Sequence, residues 1–168
     1  WIKRCVNLDD EKWKNTDPIT REKIIYGIKS GDIWLNKIKH DSNGKRIYGN
    51  VCLEVYLHSR GTCLLEHVSL GACELSSLQT AFTLGMSELC DLHSRTGVGR
   101  TGEYLLQEND RQVGLGMLGL ANLLRRYKVT YKEFGEALHQ VNTNNIKQGT
   151  AGIIASELKE AIEGAAKV

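Results

Sequence analysis

Two spacings of apolar residues alternate along the chain and predict a helix-rich α/β protein. Asp17–Lys29 begins with Asp-Pro and carries isoleucines at helical spacing, which predicts a capped helix that ends near Ser30-Gly31. After a polar turn at Asp41–Gly44 the pattern changes. From Arg46 to His58 apolar residues alternate with other residues, as they do in a strand or an extended loop.

The second part of the chain predicts one more strand and then mostly helices. Ser59-Arg60-Gly61 is a break, and Thr62–Leu70 is apolar enough for a buried strand in which Glu66 and His67 are unusual interior residues. A glycine-rich loop at Thr96–Gly102 interrupts the helices that follow. Four segments have helical patterns: Ser76–Leu92, Gln112–Tyr127 (apolar and rich in small residues), Tyr131–Val141 and Ile153–Ala166.

Composition narrows the class of protein. At 168 residues, with 41% hydrophobic and 25% charged positions, the chain has the balance of one soluble globular domain. The formal net charge is only +2 and basic residues form no run longer than a pair, so we expect no nucleic-acid partner. No apolar stretch approaches the roughly 20 residues that cross a bilayer, and the first residues do not resemble a signal peptide. We therefore expect a cytoplasmic protein without a membrane partner.

The cysteines do not follow the spacing of a metal site. There are five of them, and none form a C-x-x-C pair, so we expect no bound metal. Cysteines in a reducing compartment usually act as small buried apolar residues. Their neighbours in the sequence decide whether one of them has a chemical role. The five are Cys5, Cys52, Cys63, Cys73 and Cys90.

One segment concentrates reactive side chains. Asn50, Cys52 and Glu54 alternate with the aliphatic residues Val51, Leu53 and Val55. In an extended backbone this spacing sends the amide, the thiol and the carboxylate to one face. Burying all three is costly unless they share a function, whereas a half-exposed strand with a polar outer face needs no function. The pattern alone leaves both interpretations open.

A resemblance favours the functional interpretation. Gly-Asn-Val-Cys-Leu-Glu-Val, around Cys52, resembles the Asn-x-Cys-x-Glu signature of ribonucleotide reductase large subunits. Cys63 follows Cys52 by eleven positions, a spacing similar to that between the radical cysteine and one reducing cysteine of that family. The stretch from Arg111 to Leu124 resembles the family's small-residue helix. The similar segments occur in family order and cover about residues 48–138.

The resemblance implies a radical mechanism. Cys52 corresponds to the transient thiyl radical that abstracts the ribose 3′ hydrogen, and Glu54 to the general base on the 3′ hydroxyl, in a dry pocket that raises its pKa. Asn50 corresponds to the amide that holds the sugar hydroxyls. Cys63 corresponds to one of two thiols that become a disulfide as the 2′ hydroxyl leaves as water. The second thiol has no counterpart here, because Cys5 has no matching surroundings.

The family's fold and partners follow from the same resemblance. Reductase large subunits are ten-stranded α/β barrels with a central finger loop, and they are several times longer than this chain. We therefore expect residues 1–168 to be a single segment of the catalytic barrel, including the finger-loop strand, and inactive without complementing segments. This segment alone is expected to bind no cofactor. The parent enzyme needs adenosylcobalamin, towards which the cysteine spacing leans weakly, or a radical-generating dimetal subunit, together with a ribonucleotide and thioredoxin or glutaredoxin as reductant.

Two glycine-rich motifs suggest other functions. Gly114–Gly119 satisfies G-x-G-x-x-G, but Glu108–Gln112 is polar where a dinucleotide fold requires a buried strand, which favours close helix packing. His93–Gly102 resembles the phosphate loop of cysteine-dependent phosphatases, with Arg100 as the phosphate ligand. Ser94 replaces the nucleophilic cysteine, so this alternative is a phosphate-binding pseudophosphatase-like module. A non-catalytic helical interaction domain is the other alternative.

Overall fold

A computed structural model describes residues 4–50, 52, 54–95, 103–106, 108–110, 112–144 and 146–168. The described part is a mixed α/β structure, as the sequence predicts, in which helices predominate over small sheets. The chain divides into two compact units, Trp1–Gly61 and Thr62–Val168. The prediction that the whole chain is one segment of a larger catalytic domain stays a prediction.

The first unit combines a parallel strand pair with an antiparallel sheet. Its helices are α1 (Asp10–Asn15) and α2 (Pro18–Ser30), and its strands are β1 (Arg4–Leu8), β2 (Ile33–Lys37), β3 (Lys39–His40), β4 (Arg46–Gly49) and β5 (Tyr56–His58). Strands β1 and β2 pair in parallel, with both helices in the crossover between them. Strand β4 lies between β3 and β5 and is antiparallel to both. This unit therefore contains one β-α-β crossover and one meander.

Helix α2 confirms the predicted end signals. The Asp17 side chain accepts a hydrogen bond from the Thr20 backbone N–H at 3.0 Å, and Pro18 occupies the first helical position. Gly31 ends the helix with a φ of 80°, in the left-handed region where glycine has no steric penalty. The helix covers one face of the β1–β2 pair at Gly27, where a β-carbon would overlap the Ile33 side chain. Local sequence signals thus fix both ends of the helix.

The second unit contains a further parallel pair and most of the helices. Its strands are β6 (Cys63–Ser69) and β7 (Gln112–Leu118), and its helices are α3 (Leu78–Arg95), α4 (Leu120–Arg126), α5 (Tyr131–Asn144) and α6 (Gly149–Ala165). Two 3₁₀ turns, Leu70–Ala72 and Leu75–Ser77, connect β6 to α3. Strands β6 and β7 pair in parallel from Cys63 opposite Gln112 to Ser69 opposite Leu118. Helix α3 packs against both strands, which makes a second β-α-β crossover.

The hydrophobic core of the second unit lies between α3, α4, α5, α6 and the face of the β6–β7 sheet that α3 covers. Alanines and glycines on α6 allow close approach, since Ala155 and Ala161 are completely buried and Gly164 contacts α3. This packing confirms the predicted strand at residues 62–70 and three of the predicted helices. The buried members are Val68, Leu70, Leu78, Phe82, Leu123, Leu124, Phe134, Ala137, Val141, Ile154, Ala155, Leu158, Ala161 and Ala165.

The predicted helix Gln112–Tyr127 is wrong in its first half. Residues 112–118 form β7, Gly119 follows with a φ of 74°, and only Leu120–Arg126 is helical. A β-carbon at Gly114 would lie 2.6 Å from Leu65 Cδ2, and one at Gly116 would lie 2.6 Å from His67 Cδ2. Glycine therefore occupies these positions because side chains of the neighbouring strand lie over them, rather than because helices pack there.

The described strands form one three-stranded and two two-stranded sheets, and they form no closed barrel. Within these same residues, no helix has both the length and the apolar character required to cross a bilayer.

Candidate functional site around Cys52

The segment that carries Cys52 is the tip of a β-hairpin. Strands β4 and β5 pair with Ile47 opposite His58, Tyr48 opposite Leu57 and Gly49 opposite Tyr56. Aromatic and β-branched residues suit this pleated stem. Residues 50–55 connect the two strands, and Val51 and Leu53 lie outside the described residues. The hairpin therefore presents Asn50, Cys52 and Glu54 together at one end of the stem.

Asn50 closes the loop with both ends of its amide. Its Oδ1 accepts hydrogen bonds from the backbone N–H groups of Glu54 at 3.1 Å and Val55 at 3.4 Å. Its own backbone N–H donates to the Val55 carbonyl oxygen at 3.3 Å. Asparagine side chains often replace backbone partners in this way, because the short amide reaches neighbouring peptide groups.

The same amide also holds the acid. Asn50 Nδ2 donates a hydrogen bond to Glu54 Oε1 at 2.5 Å. One asparagine therefore fixes both the backbone and the carboxylate of Glu54. Because the Asn50 amide is hydrogen-bonded to the carboxylate, the position of the Glu54 side chain depends directly on the position of Asn50.

The prediction of a strand or an extended loop from Arg46 to His58 is confirmed at both ends, where β4 and β5 form, but Asn50, Cys52 and Glu54 do not share one strand face. They lie in a loop between two strands, and Cys52 is in a turn. Asn50 bonds to backbone N–H groups that a ladder would otherwise use, which ends the pairing at Gly49 opposite Tyr56. The amide and the acid nevertheless come together, as the sequence predicts, by a loop hydrogen bond instead of a shared strand face.

Cys52 is an exposed thiol, and Glu54 is exposed as well. None of the five cysteines, all within the described residues, forms a disulfide. The side chains at the loop tip are thus open to solvent or to another polypeptide. The resemblance implies a dry pocket around Glu54, and the described residues do not form one.

Charged and aromatic side chains surround the stem. The Lys39 ammonium lies 4.6 Å from the centre of the Tyr56 ring, and the Arg46 guanidinium lies 4.6 Å from the Tyr48 ring. At the other end of the sheet, the Lys45 backbone N–H donates to Asp41 and lowers the pKa of that carboxyl, with smaller effects of Asn43 and His58. These contacts stiffen the sheet that supports the loop.

The loop end of the hairpin stem packs on an asparagine pair that the sequence pattern did not predict. Asn36 on β2 is buried, and its Nδ2 donates to Asn7 Oδ1 on β1 at 2.8 Å. A β-carbon at Gly49 would lie 2.9 Å from Asn36 Oδ1. The sequence signal for this pair was Asn36, which follows the apolar run Ile33-Trp34-Leu35. An amide at the end of such a strand is expected to be buried and therefore to need a specific hydrogen-bond partner.

Cys63 belongs to the second unit, where it is the first residue of β6. Strand geometry places it on the same face as Leu65 and His67, whereas α3 covers the opposite face, where Val68 and Leu115 approach Gly85. Cys63 is half-buried on the face opposite α3. Cys5, on β1, is exposed and remains unassigned.

The described residues of the two glycine-rich motifs, Gly114–Gly119 and His93–Gly102, do not lie in ligand-binding loops. Gly114 and Gly116 lie within β7, so they do not form the loop after a strand that dinucleotide binding requires. Ser94 lies in the last turn of α3 and donates its hydroxyl to the Cys90 carbonyl oxygen at 3.1 Å. Residues 96–102, including Arg100, lie outside the described residues, so the phosphate-binding alternative stays a prediction. His67, which the sequence suggested as a core histidine, is exposed.

The remaining buried polar groups do not form a metal site. His93 is completely buried, and its Nε2 lies 3.2 Å from Thr62 Oγ1. Across the residues that the structure describes, histidine, cysteine, aspartate and glutamate side chains form no cluster of three suited to a metal ion. The hairpin tip brings Asn50 and Glu54 into contact, and Cys52 lies in the same loop.

No protein-family profile matches the chain, and no curated protein matches it at a significant level of similarity. The family therefore stays a proposal that rests on the residues and geometry of the hairpin.

Proposed function

We propose that this chain is the central segment of a ribonucleotide reductase catalytic subunit and contributes the radical cysteine, Cys52. The observation that carries the proposal is the hairpin tip, where the thiol lies in a loop closed by the Asn50–Glu54 hydrogen bond. A hydrogen-abstracting thiyl group needs a neighbouring base and a polar anchor for the sugar. The loop brings these three side-chain types together in six residues.

Each side chain has a role in the proposed reaction. Cys52, as a thiyl radical, takes the 3′ hydrogen atom, and Glu54 accepts the proton of the 3′ hydroxyl as a general base. Asn50 orients Glu54 and donates to the sugar hydroxyls. Cys63 and a second thiol from a complementing segment supply two electrons and protons. The 2′ hydroxyl leaves as water, those thiols become a disulfide, and the hydrogen returns from Cys52 to the 3′ carbon.

The arrangement of the elements supports an α/β barrel as the parent fold. Both parallel strand pairs have a helix on one face, the arrangement from which such barrels are built. Gly49 of the hairpin approaches Asn36 on the face of the β1–β2 pair opposite α2, and Cys63 is on the face of its pair opposite α3. In a barrel with helices outside, those faces line the interior. We propose the ten-stranded reductase barrel, completed by other chain segments, as that fold.

The partners follow from the proposed reaction. A ribonucleotide is the substrate, and thioredoxin or glutaredoxin restores the reducing thiols in the cytoplasm. The radical comes from adenosylcobalamin or from a dimetal subunit, either of which supplies the oxidant that converts the Cys52 thiol to a thiyl radical. The chain's own residues hold the sugar and move the 3′ hydroxyl proton.

Complementation tests the proposal. The chain is mixed with flanking reductase segments that supply the second reducing thiol, the phosphate-binding loop and the C-terminal cysteine pair, together with adenosylcobalamin or, separately, a dimetal subunit. We expect deoxynucleotide formation with the wild-type chain and none with Cys52→Ala, because no other side chain replaces the thiyl radical. Cys90→Ala, which removes a thiol from α3, is the matched control and retains turnover. Product formation by Cys52→Ala would contradict the proposal.

A further inference from the structure

Beneath the candidate site lies an amide pair, the buried Asn36 and the half-buried Asn7, for which the proposed reaction has no direct use. Asn7 and Asn36 are directly opposite each other in the parallel β1–β2 pair. Asn36 is only 8% exposed, and its Nδ2 donates to Asn7 Oδ1 at 2.8 Å. A buried amide costs free energy unless it is hydrogen-bonded, and an aliphatic pair would fill a sheet face without that cost. The presence of amides at these positions therefore suggests a specific role in contacting the neighbouring part of the chain.

What lies against them is the stem of the hairpin. The Asn36 Oδ1 atom would be 2.9 Å from a β-carbon at Gly49, and Asn36 Cγ would be 3.4 Å from it. Gly49 directly precedes Asn50 and forms the last pair of the stem with Tyr56. A β-carbon at position 49 would require the Asn36 amide or the Gly49 backbone to shift. The glycine and the asparagine pair therefore fit together as one contact.

The contact affects the loop because the stem is short. Strand β5 has three residues, and only three residue pairs connect it to β4. An isolated hairpin of this length has little stability, so its orientation depends on what it packs against. Asn50 follows the Gly49 contact by one residue and holds Glu54 through its amide. A shift at Gly49 therefore moves the base and the loop that carries Cys52 together.

We propose that Asn36, held in place by Asn7, is a positioning residue for the Cys52 loop. It fixes the Gly49 backbone, and thereby the Asn50 amide and the Glu54 carboxylate, without touching the substrate. This inference rests on the proposed function for its catalytic consequence, whereas its structural consequence is measurable in the chain alone. Precise support beneath reacting groups matters because small displacements reduce turnover strongly.

Hydrogen exchange of the isolated chain tests the structural consequence. The backbone N–H groups of Glu54 and Val55 are protected by Asn50 Oδ1. In Asn36→Ala we expect their exchange to accelerate about fivefold, the change that corresponds to losing about 1 kcal/mol of local stability. Asn43→Ala, an exposed asparagine in the β3–β4 turn, is the matched control and leaves both rates unchanged.

Two further variants separate positioning from general destabilisation. Asn7→Asp keeps an oxygen acceptor for Asn36 Nδ2 and is expected to retain wild-type exchange at Glu54 and Val55. Gly49→Ala reaches the same contact from the opposite side and should accelerate exchange even if Asn36→Ala does not fold. If Asn36→Ala folds, unchanged amide exchange at Glu54 and Val55 would overturn the inference. If it does not fold, unchanged exchange in Gly49→Ala would overturn it.

Turnover in the complemented enzyme tests the catalytic consequence. We expect kcat to fall about tenfold in Asn36→Ala while KM stays within about twofold, because the substrate contacts remain and only the reacting groups shift. Faster exchange with unchanged kcat would overturn the positioning role. Absence of turnover and of 3′-hydrogen exchange in the wild-type complemented enzyme would instead contradict the proposed function, a result that the exchange measurements do not depend on.

Discussion

At the scale of single residues, Asn50 determines the geometry of the candidate site. Its amide accepts from two backbone N–H groups and donates to Glu54, so one side chain sets both the loop and the acid. That these side chains lie near one another could be predicted from the sequence, because the amide, thiol and acid alternate within five positions. Their geometry could not be predicted, since the same alternation fits a strand until the asparagine replaces the ladder partners.

The role of Glu54 gives a prediction at this scale. Glu54→Gln keeps an oxygen that accepts from Asn50 Nδ2 but removes the basic carboxylate, so the loop should persist while general-base catalysis is lost. We expect kcat of the complemented enzyme to fall about 10²- to 10⁴-fold. Amide exchange at Glu54 and Val55 should stay at the wild-type rate, which serves as the control for loop structure. Full turnover by this variant would exclude Glu54 as the base.

At the scale of elements, the sequence predicts helices well where caps and periodicity agree. Helix α2 begins and ends at its predicted signals, and α5 begins with a capping box in which the Thr130 N–H donates to Glu133 at 2.7 Å. Strand β7 was predicted as helix because its glycines resembled a helix-packing motif. The deciding factor is non-local: Leu65 and His67 of β6 lie over those glycines, and no short window of sequence contains that pairing.

Two glycines with open surroundings test how far backbone conformation alone governs stability. Gly31 and Gly135 both have space for a β-carbon, but Gly31 has a φ of 80° and Gly135 lies inside α5. We expect Gly31→Ala to destabilise by about 1 kcal/mol, because an alanine is strained in the left-handed region. Gly135→Ala should stabilise by about 0.5–1 kcal/mol. Urea unfolding measures both, and equal signs would contradict this interpretation of the Gly31 turn.

The capping box predicts a pH dependence for α5. The Thr130 backbone N–H lowers the pKa of Glu133 below its ordinary value of 4.5, with a further effect of the Thr130 hydroxyl. Because the folded pKa is the lower one, this contribution to stability is present above pH 4.5 and is lost as the pH falls through the folded pKa. Glu133→Gln should therefore reduce the difference in urea midpoint between pH 7 and pH 3. An identical difference in wild type and variant would contradict the assignment.

At the scale of the whole molecule, the second unit contains a two-stranded parallel sheet, β6–β7, with one face open. Parallel sheets are normally covered on both faces, yet Leu65 on β6 is 59% exposed and Leu118 on β7 is 58% exposed. Composition predicted one soluble domain. It could not predict the open sheet face, because the proportion of apolar residues does not reveal whether they are covered within the chain. The open face of β6–β7 is the surface that the proposed complementing segments would cover.

The open face of β6–β7 gives a prediction about assembly. Leu65→Lys should leave the chain folded, because the side chain is already largely in water. If the proposed barrel forms, the variant should prevent productive mixing with the complementing segments, because it places a charge in the barrel interior. Leu84→Lys is the control, since Leu84 is 57% exposed on helix α3, away from that sheet face. Size-exclusion chromatography and turnover measure both. Normal assembly of Leu65→Lys would contradict a covered sheet face.

The central claim is that the Cys52 sulfur takes a hydrogen atom from the substrate. Partial release of tritium from a 3′-tritiated ribonucleotide reports that step, because the thiol formed on Cys52 can exchange its tritium with water before it returns a hydrogen atom to the 3′ carbon. With the complemented enzyme and its radical source, we predict tritium in water with the wild-type chain and background release with Cys52→Ser, which keeps the size and polarity of the side chain. Tritium release by Cys52→Ser at the wild-type rate would contradict the account.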